Sequence, residues 1–406
     1  MSRLSKEQLD KIMEQEGVSR LWSWSRVHTF MISPYEYYLK YVIHAKEDRN
    51  DCIYTTTGGM CHGIIEKLYT GEIKYEDMPN LFEDGWLTAY DISQLKFDRN
   101  DEEKNQKIAN KYYEDLKHFF KNHKMLKYKP MIEQFIKIKV GDNVLHGYID
   151  CCFKDDDGNY NIIDWKSSSI YKGAKAEEEC GQLVLYAVGL NQAGIPMSKI
   201  RIAWDFLKYC CVDVTQKNGV VKTREIERSK LGESLTTNCR MWLKEFGYAD
   251  EADDYLKLLL DTNNLDVLPD EVRAKYDMRD CFVYVDLTDK LIDKWVNLID
   301  TTIKDIELRE KDYAENGSEN AFWDTDENVE AQSYYFATLS GFSPSQHKPY
   351  AAYLDKLEAK KNGMDFFGGV GDNVESKEIV STIDTTNAKN AQDDSINLDW
   401  LDSIEI

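Results

Sequence analysis

No run of apolar residues in this 406-residue chain approaches the roughly 18 that a membrane-crossing helix requires. The charged start, Met1 to Gly17, lacks the apolar centre of a signal peptide and reads as a short helix, with Ser5 and Gln8 matching a capping box and Gly17 suiting its end. The expected location is therefore the cytoplasm, without a membrane partner. Nine cysteines occur without any Cys-x-x-Cys spacing, which leaves no zinc-ribbon or dithiol motif. Cys151-Cys152 and Cys210-Cys211 are neighbours on strands and point to opposite faces, so they read as buried free thiols of a reducing compartment. Gly368, Gly369 and Gly371 are not followed by Gly-Lys-Ser/Thr, so they form no phosphate loop and the chain carries no visible ATPase. No internal repeat is present.

Positive charge is also scarce, but unevenly so. The formal net charge is −22. Residues 1–250 hold 36 Lys and Arg against 38 Asp and Glu; the remainder holds 15 against 35. The first half is thus nearly neutral, with a local excess of lysine from Lys104 to Lys139. An acidic body cannot grip phosphates over a wide surface, so contact with a nucleic acid must be narrow and metal-assisted.

The pattern along the chain predicts an α/β fold, a small mixed β-sheet flanked by helices. Trp22 to Ala45 reads as two short helices broken at Ser33-Pro34. A helix over Thr55 to Thr70 is entered through Gly58-Gly59, and a longer amphipathic one covers Glu102 to Asn122. Strands follow at Ile132 to Val140, Asn143 to Phe153 and Tyr160 to Ser167. Then come a helix over Lys175 to Asn191, a strand near Ile200 to Lys208 and a hairpin around Lys217-Asn218-Gly219. Ser229 to Asp312 reads as mostly helical, with Leu287 to Glu310 the longest candidate. Three units are expected: a core with its N-terminal helices over residues 1–228, a helical region over 229–362, and a disordered acidic tail over 363–406. The tail's tip, Asp393 to Ile406, mixes acid with Ile, Leu and Trp, a composition shared by docking peptides and, equally, by unused solvated tails.

The chemistry concentrates between His146 and Ser168. Two β-prone runs flank the turn signal Asp155-Asp156-Asp157-Gly158-Asn159. Paired about Asp157, Asp150 lies opposite Asp164, and Asp164 and Lys166 emerge from one face of the second strand. Two carboxylates can hold a hard divalent cation, and a neighbouring lysine can hold a hydroxide or a phosphate.

Further motifs occur in order around that hairpin. They are Gly59-Met60-Cys61-His62 followed by Glu66, Gly147-Tyr148-Ile149-Asp150, Ile162-Ile163-Asp164-Trp165-Lys166, and Gln182-Leu183-Val184-Leu185-Tyr186. Together they resemble the PD-(D/E)XK nuclease superfamily, in particular its RecB-like branch of phage exonucleases and CRISPR-associated adaptation nucleases. Ser23-Trp24-Ser25-Arg26 and the Ser33 to Tyr41 stretch resemble that branch's N-terminal helix pair. The resemblance covers roughly residues 20–210 and implies a restriction-endonuclease-like core. It implies that His62, Asp150, Asp164 and the Trp165 carbonyl bind Mg²⁺ or Mn²⁺, the single histidine favouring Mn²⁺. It also implies that Lys166 and Gln182 handle the nucleophile, that Glu66 stands in or beside the metal centre, and that Tyr186 meets DNA. Glu133, at the start of a strand, occupies a place where the family often has an acidic residue. Arg26 is a candidate phosphate contact, with a solvated surface arginine as the plain alternative.

One departure is informative. Many relatives close an iron–sulfur cluster with a cysteine before the Pro-aromatic helix and three near the C-terminus. Here Ser33 precedes Pro34, and Gln332 to Leu354 contains no cysteine, so no cluster is expected. That segment is expected to pack back on the N-terminal helices through Tyr and Phe. The function implied is a metal-dependent DNA nuclease, an exonuclease acting on single- or double-stranded ends in recombination, replication or repair of phage or mobile-element DNA. A phage-encoded chain would act in the host cytoplasm, and the acidic tail would dock a helicase, recombinase or single-strand-binding partner. The alternatives are a structure-specific endonuclease and a catalytically quiet DNA-binding or partner-docking subunit.

Overall fold

A computed structural model describes residues 3–367, with side chains to residue 361. The first helix, α1 (Lys6–Glu16), is capped as its sequence predicts. Ser5 Oγ accepts from Gln8 N, the Gln8 side chain returns a bond to Ser5 N, and Gly17 ends the helix at φ 68°. After β1 (Trp22–Ser23), α2 (Trp24–Ile32) and α3 (Pro34–Tyr37) meet at Ser33, which is extended because the following proline disfavours the helical region there. The helix α4 (Ile53–Thr70) begins before Gly58 and Gly59, so those glycines lie inside it rather than at its entrance. Then come α5 (Met78–Trp86) and α6 (Glu102–Asn122), the latter at its expected bounds.

Seven strands form one mixed sheet. They are β1, β2 (Met131–Val140), β3 (Asn143–Lys154), β4 (Tyr160–Lys166), β5 (Ile200–Thr215), β6 (Val221–Glu227) and β7 (Tyr276–Val285). The path runs β1-β3-β4-β5-β6, with β2 on β3 and β7 on β5; β1–β3 and β4–β5 are parallel and the other pairs antiparallel. The helices between and after the strands are α7 (Ala174–Glu179), α8 (Gly181–Gln192), α9 (Leu231–Glu245), α10 (Ala252–Thr262), α11 (Asp270–Arg273), α12 (Asp289–Asn316), α13 (Asp326–Ala331) and α14 (Lys348–Phe367).

Adjacent residues of β3 and β4 feed different cores, as alternation on a strand demands. Cys152 and Ile162 join a cluster with α2, α8 and α12; Cys151 and Ile163 join another with α4, α5 and α6. A third cluster unites the far ends of β5 and β7 with α9 and α10. None of the nine cysteines is in a disulfide, and seven of them are buried.

Two further expectations change. The stretch read as one helix from Lys175 is two, α7 and α8, broken at Cys180. A Cβ on Gly181 would lie 2.4 Å from Trp24 Cη2 and 2.7 Å from Trp295, so α8 starts where only glycine fits between two buried tryptophans. The stretch read as mostly helical after Ser229 contains β7, which pairs with β5 across a register shift between Asp205 and Cys210. The long helix expected there is α12.

The segment Gln332 to Leu354 does pack on α2 and α3. Ser33 Oγ donates to Asp324 Oδ2 (2.6 Å) and lies 3.1 Å from His347 Nε2. Tyr335 and Ser340 both bond the buried Glu36 carboxylate. Phe336 stacks on Tyr350, so rings and hydrogen bonds share this closure. The remainder of the expected tail, including Asp393 to Ile406, lies outside the described residues.

Candidate metal centre

The turn after β3 is built by one side chain. Asp155 accepts from the backbone of Asp157 and Asn159 and from the amides of Asn159 and Asn161, while Gly158 takes φ 78°. A turn so fixed sets the register. The ladder pairs Cys151 with Ile163 through Lys154 with Tyr160, which is the pairing about Asp157, and Asp150 and Asp164 occupy its next positions.

From the other side α4 brings His62. Its Nε2 lies 2.7 Å from the Trp165 carbonyl oxygen and its Nδ1 3.6 Å from Asp150 Oδ2. One ligand atom each from His62, Asp150 and Asp164 lies within 4.8 Å of the others. Lys166 Nζ is 3.2 Å from Asp164 Oδ2, and both side chains are buried. Burial, and then the neighbouring Asp164 carboxylate, hold Asp150 well above the ordinary carboxylate range. Two carboxylates and an imidazole so clustered, with the Trp165 carbonyl beside the imidazole, suit a divalent cation, whose charge relieves that repulsion. The residues present therefore fit such an ion.

Glu66, one turn after His62, is pushed up by burial and then by Glu133. Glu133 sits between Ile132 and Gln134, whose partners are Cys151 and Ile149, so it stands opposite Asp150. Its φ of 49° is a left-handed conformation that costs a non-glycine residue about 1–2 kcal/mol. Arg3 Nε lies 3.5 Å from the Glu133 carboxylate, and the Arg3 guanidinium lies over Tyr148.

Gln182 Nε2 donates to the Tyr186 hydroxyl at 3.0 Å, joining the two across one turn of α8. The Tyr186 ring lies where a Cβ on Gly147 would stand, 2.8 Å from Cε1, so Gly147 makes room for it. Arg26 is not part of the His62–Asp150–Asp164 cluster. It donates from Nε to the Tyr37 hydroxyl and lies over Tyr41 and Trp22.

Sequence reasoning gave no role to four residues around the site. His28 on α2 stacks on Trp24 and is pushed down to about 4 by burial and by the Lys166 charge. Arg3 and Tyr148 reach the Glu133 edge. Tyr69 on α4 stacks on Trp165 and bonds His123, which with Arg228 holds the buried Asp280 of β7. The alternation of Tyr276, Met278 and Asp280 against exposed Asp277 and Arg279 is the signal that could have exposed that strand.

The model of the PD-(D/E)XK nuclease superfamily matches residues 21–255. The chain belongs to that superfamily, whose members are nucleases that use divalent metals. Comparison with curated proteins gives no relative. No helix among the described residues is long and apolar enough to cross a membrane.

Proposed function

We propose that this chain is an exonuclease that hydrolyses DNA from its ends, in recombination, replication or repair of phage or mobile-element DNA. The observation that carries the nuclease chemistry is the His62–Asp150–Asp164 cluster with Lys166 Nζ 3.2 Å from Asp164. The preference for ends rests on the order of motifs, closing with Gln182 and Tyr186. In this reading His62, Asp150, Asp164 and the Trp165 carbonyl hold Mg²⁺ or Mn²⁺. A bound divalent cation there lowers the pKa of water and offsets charge on the reacting phosphate. Lys166, fixed by Asp164, orients the attacking oxygen and offers its charge to the phosphate. Glu66 and Glu133 supply further carboxylates beside Asp150, and Gln182 with Tyr186 lines the neighbouring wall.

End-labelled single- and double-stranded DNA, compared with covalently closed circles in Mn²⁺, tests the proposal. Mononucleotides released only from free ends support it; nicking of circles makes the chain an endonuclease instead. Asp164→Ala and Lys166→Ala should each abolish cleavage while leaving the melting transition cooperative, and retained turnover in Asp164→Ala refutes the site. EDTA should stop the reaction, with Mn²⁺ restoring it at least as well as Mg²⁺.

A further inference from the structure

Beside the carboxylate cluster lies a groove of about 700 Å³, walled by α1, by the turn that follows α3 and by the end of α12. Its lining includes Lys6, Arg20, Arg26, Tyr41, His146 and Glu310. The acid among them is already answered. Glu310 takes two bonds from Arg20, at 2.9 and 2.7 Å, and one from the Tyr37 hydroxyl at 2.8 Å. Asp10, on the exposed face of α1, is the other carboxylate of the lining.

Arg26 is held differently. Its guanidinium lies 5.0 Å from the Tyr41 ring centre and 5.5 Å from that of Trp22, with Nε given to Tyr37. Its terminal nitrogens meet no acceptor among the described residues. A guanidinium clamped on rings with its fork open is preorganised for a phosphate. Lys6 adds an exposed ammonium on the facing wall. Cations beside aromatic faces in a groove are the arrangement that tracks a single nucleic-acid strand.

The groove reaches β3 at His146, four residues before Asp150 of the metal centre. His146, Tyr148 and Asp150 alternate along β3, which puts His146 about 13 Å from Asp150 on the same face. At ~3.4 Å per stacked nucleotide, or about twice that in an extended strand, the interval spans roughly two to four nucleotides.

The wall that α1 forms is fastened at both ends. Leu4 N donates to the Tyr148 hydroxyl at 2.8 Å and Arg3 pairs with Glu133, while Glu16 pairs with Lys137 and Lys139. No residue of α1 is fully buried, and half-buried Leu9, Ile12 and Met13 share with these polar fastenings the task of keeping it in place. A volume of this order suits a ligand of dinucleotide size.

We infer that the groove beneath α1 is a binding subsite for single-stranded DNA, engaging the strand two to four nucleotides from the bond cut at the carboxylate cluster. The inference rests on the nuclease reading for its cleavage point, but not for its binding surface.

The test uses the full chain in EDTA with a fluorescent single-stranded dodecamer and the corresponding blunt duplex. Single-stranded DNA should bind at least tenfold more tightly than duplex. Arg26→Ala should weaken single-strand binding at least fivefold, with Arg26→Lys in between. Lys6→Ala, at an exposed position that cannot disturb folding, should lower the slope of log affinity against log salt by about 0.7. Iodouracil placed two to four nucleotides from the end should cross-link to Tyr41 or His146. Equal affinity for duplex, absence of binding, insensitivity to both Arg26→Ala and Lys6→Ala, or cross-links only elsewhere overturns the inference. Cleavage by the parent in Mn²⁺ is scored separately. A chain that cuts but whose binding ignores Arg26 and Lys6 loses only the subsite; one that binds here but never cuts loses only the nuclease reading.

Discussion

Asp150 and Asp164 are brought together at the end of a ladder whose turn Asp155 locks, and the fold bears the cost of their repulsion. A carboxyl raised by burial and a like charge keeps its proton in the folded state over a range of pH in which the unfolded chain has lost it. Within that range the unfolded chain binds fewer protons, so stability falls as pH rises from near 4. Metal-free protein should therefore melt higher at pH 5 than at pH 7, as far as this residue is concerned. Asp150→Asn should raise the melting temperature of chelated protein at pH 7 while abolishing cleavage. The gain should shrink as pH approaches 4 and should reverse when Mn²⁺ is added to both proteins. Calorimetry of the two chains with and without Mn²⁺ checks this; an Asn variant no more stable than the parent in chelator would mean that the carboxylates do not strain the fold. His62, Asp150, Asp164 and Lys166 were legible in the sequence because each sits in a local motif and the register follows from one short turn. His28 was not. What marks it is the charge of Lys166, which reaches it only through tertiary packing.

At the scale of elements, most of what depends on near neighbours was legible, although α4 starts at Ile53, ahead of its expected entrance at Gly58-Gly59. The Ser5–Gln8 capping box, the Ser33-Pro34 break and the bounds of α6 depend on neighbours in sequence. The two larger failures depend on distant partners. The strand β7 hid because Asp280, polar in sequence, is buried against Arg228 and His123. The break before α8 was invisible because Trp24 and Trp295, far apart in the chain, converge on Gly181. Gly181→Ala should thus cost about 1–3 kcal/mol, because neither tryptophan has room to retreat, even though alanine is the better helix former. Urea denaturation measures it, and an unchanged midpoint would show that the contact gives way. The closure of the C-terminal segment on α3 predicts a second loss. Ser33 Oγ both caps α3, by accepting from Glu36 N at 2.9 Å, and donates to Asp324. Ser33→Ala removes the cap and leaves a buried carboxylate short of a partner, for an expected loss of roughly 1–3 kcal/mol by the same measurement.

For the whole molecule, charge decides how the acidic second half bears on activity. The packing of α14 on the body lies within the described residues, through Tyr350 against Phe336 and Lys356 to Asp326, and the helix continues to Phe367. Residues 368–406 contain nine Asp and Glu against two Lys. Removing them takes a net seven negative charges from a chain that must meet polyanionic DNA. We expect the chain ending at Phe367 to keep the parent's kcat on naked DNA. Its kcat/KM should be equal at high salt and higher at low salt, where long-range repulsion of the substrate is least screened. Steady-state cleavage at two ionic strengths checks this. A several-fold loss of kcat would instead place part of residues 368–406 in the active body, and an unchanged kcat/KM at low salt would mean that their charge lies too far from the DNA path to be felt.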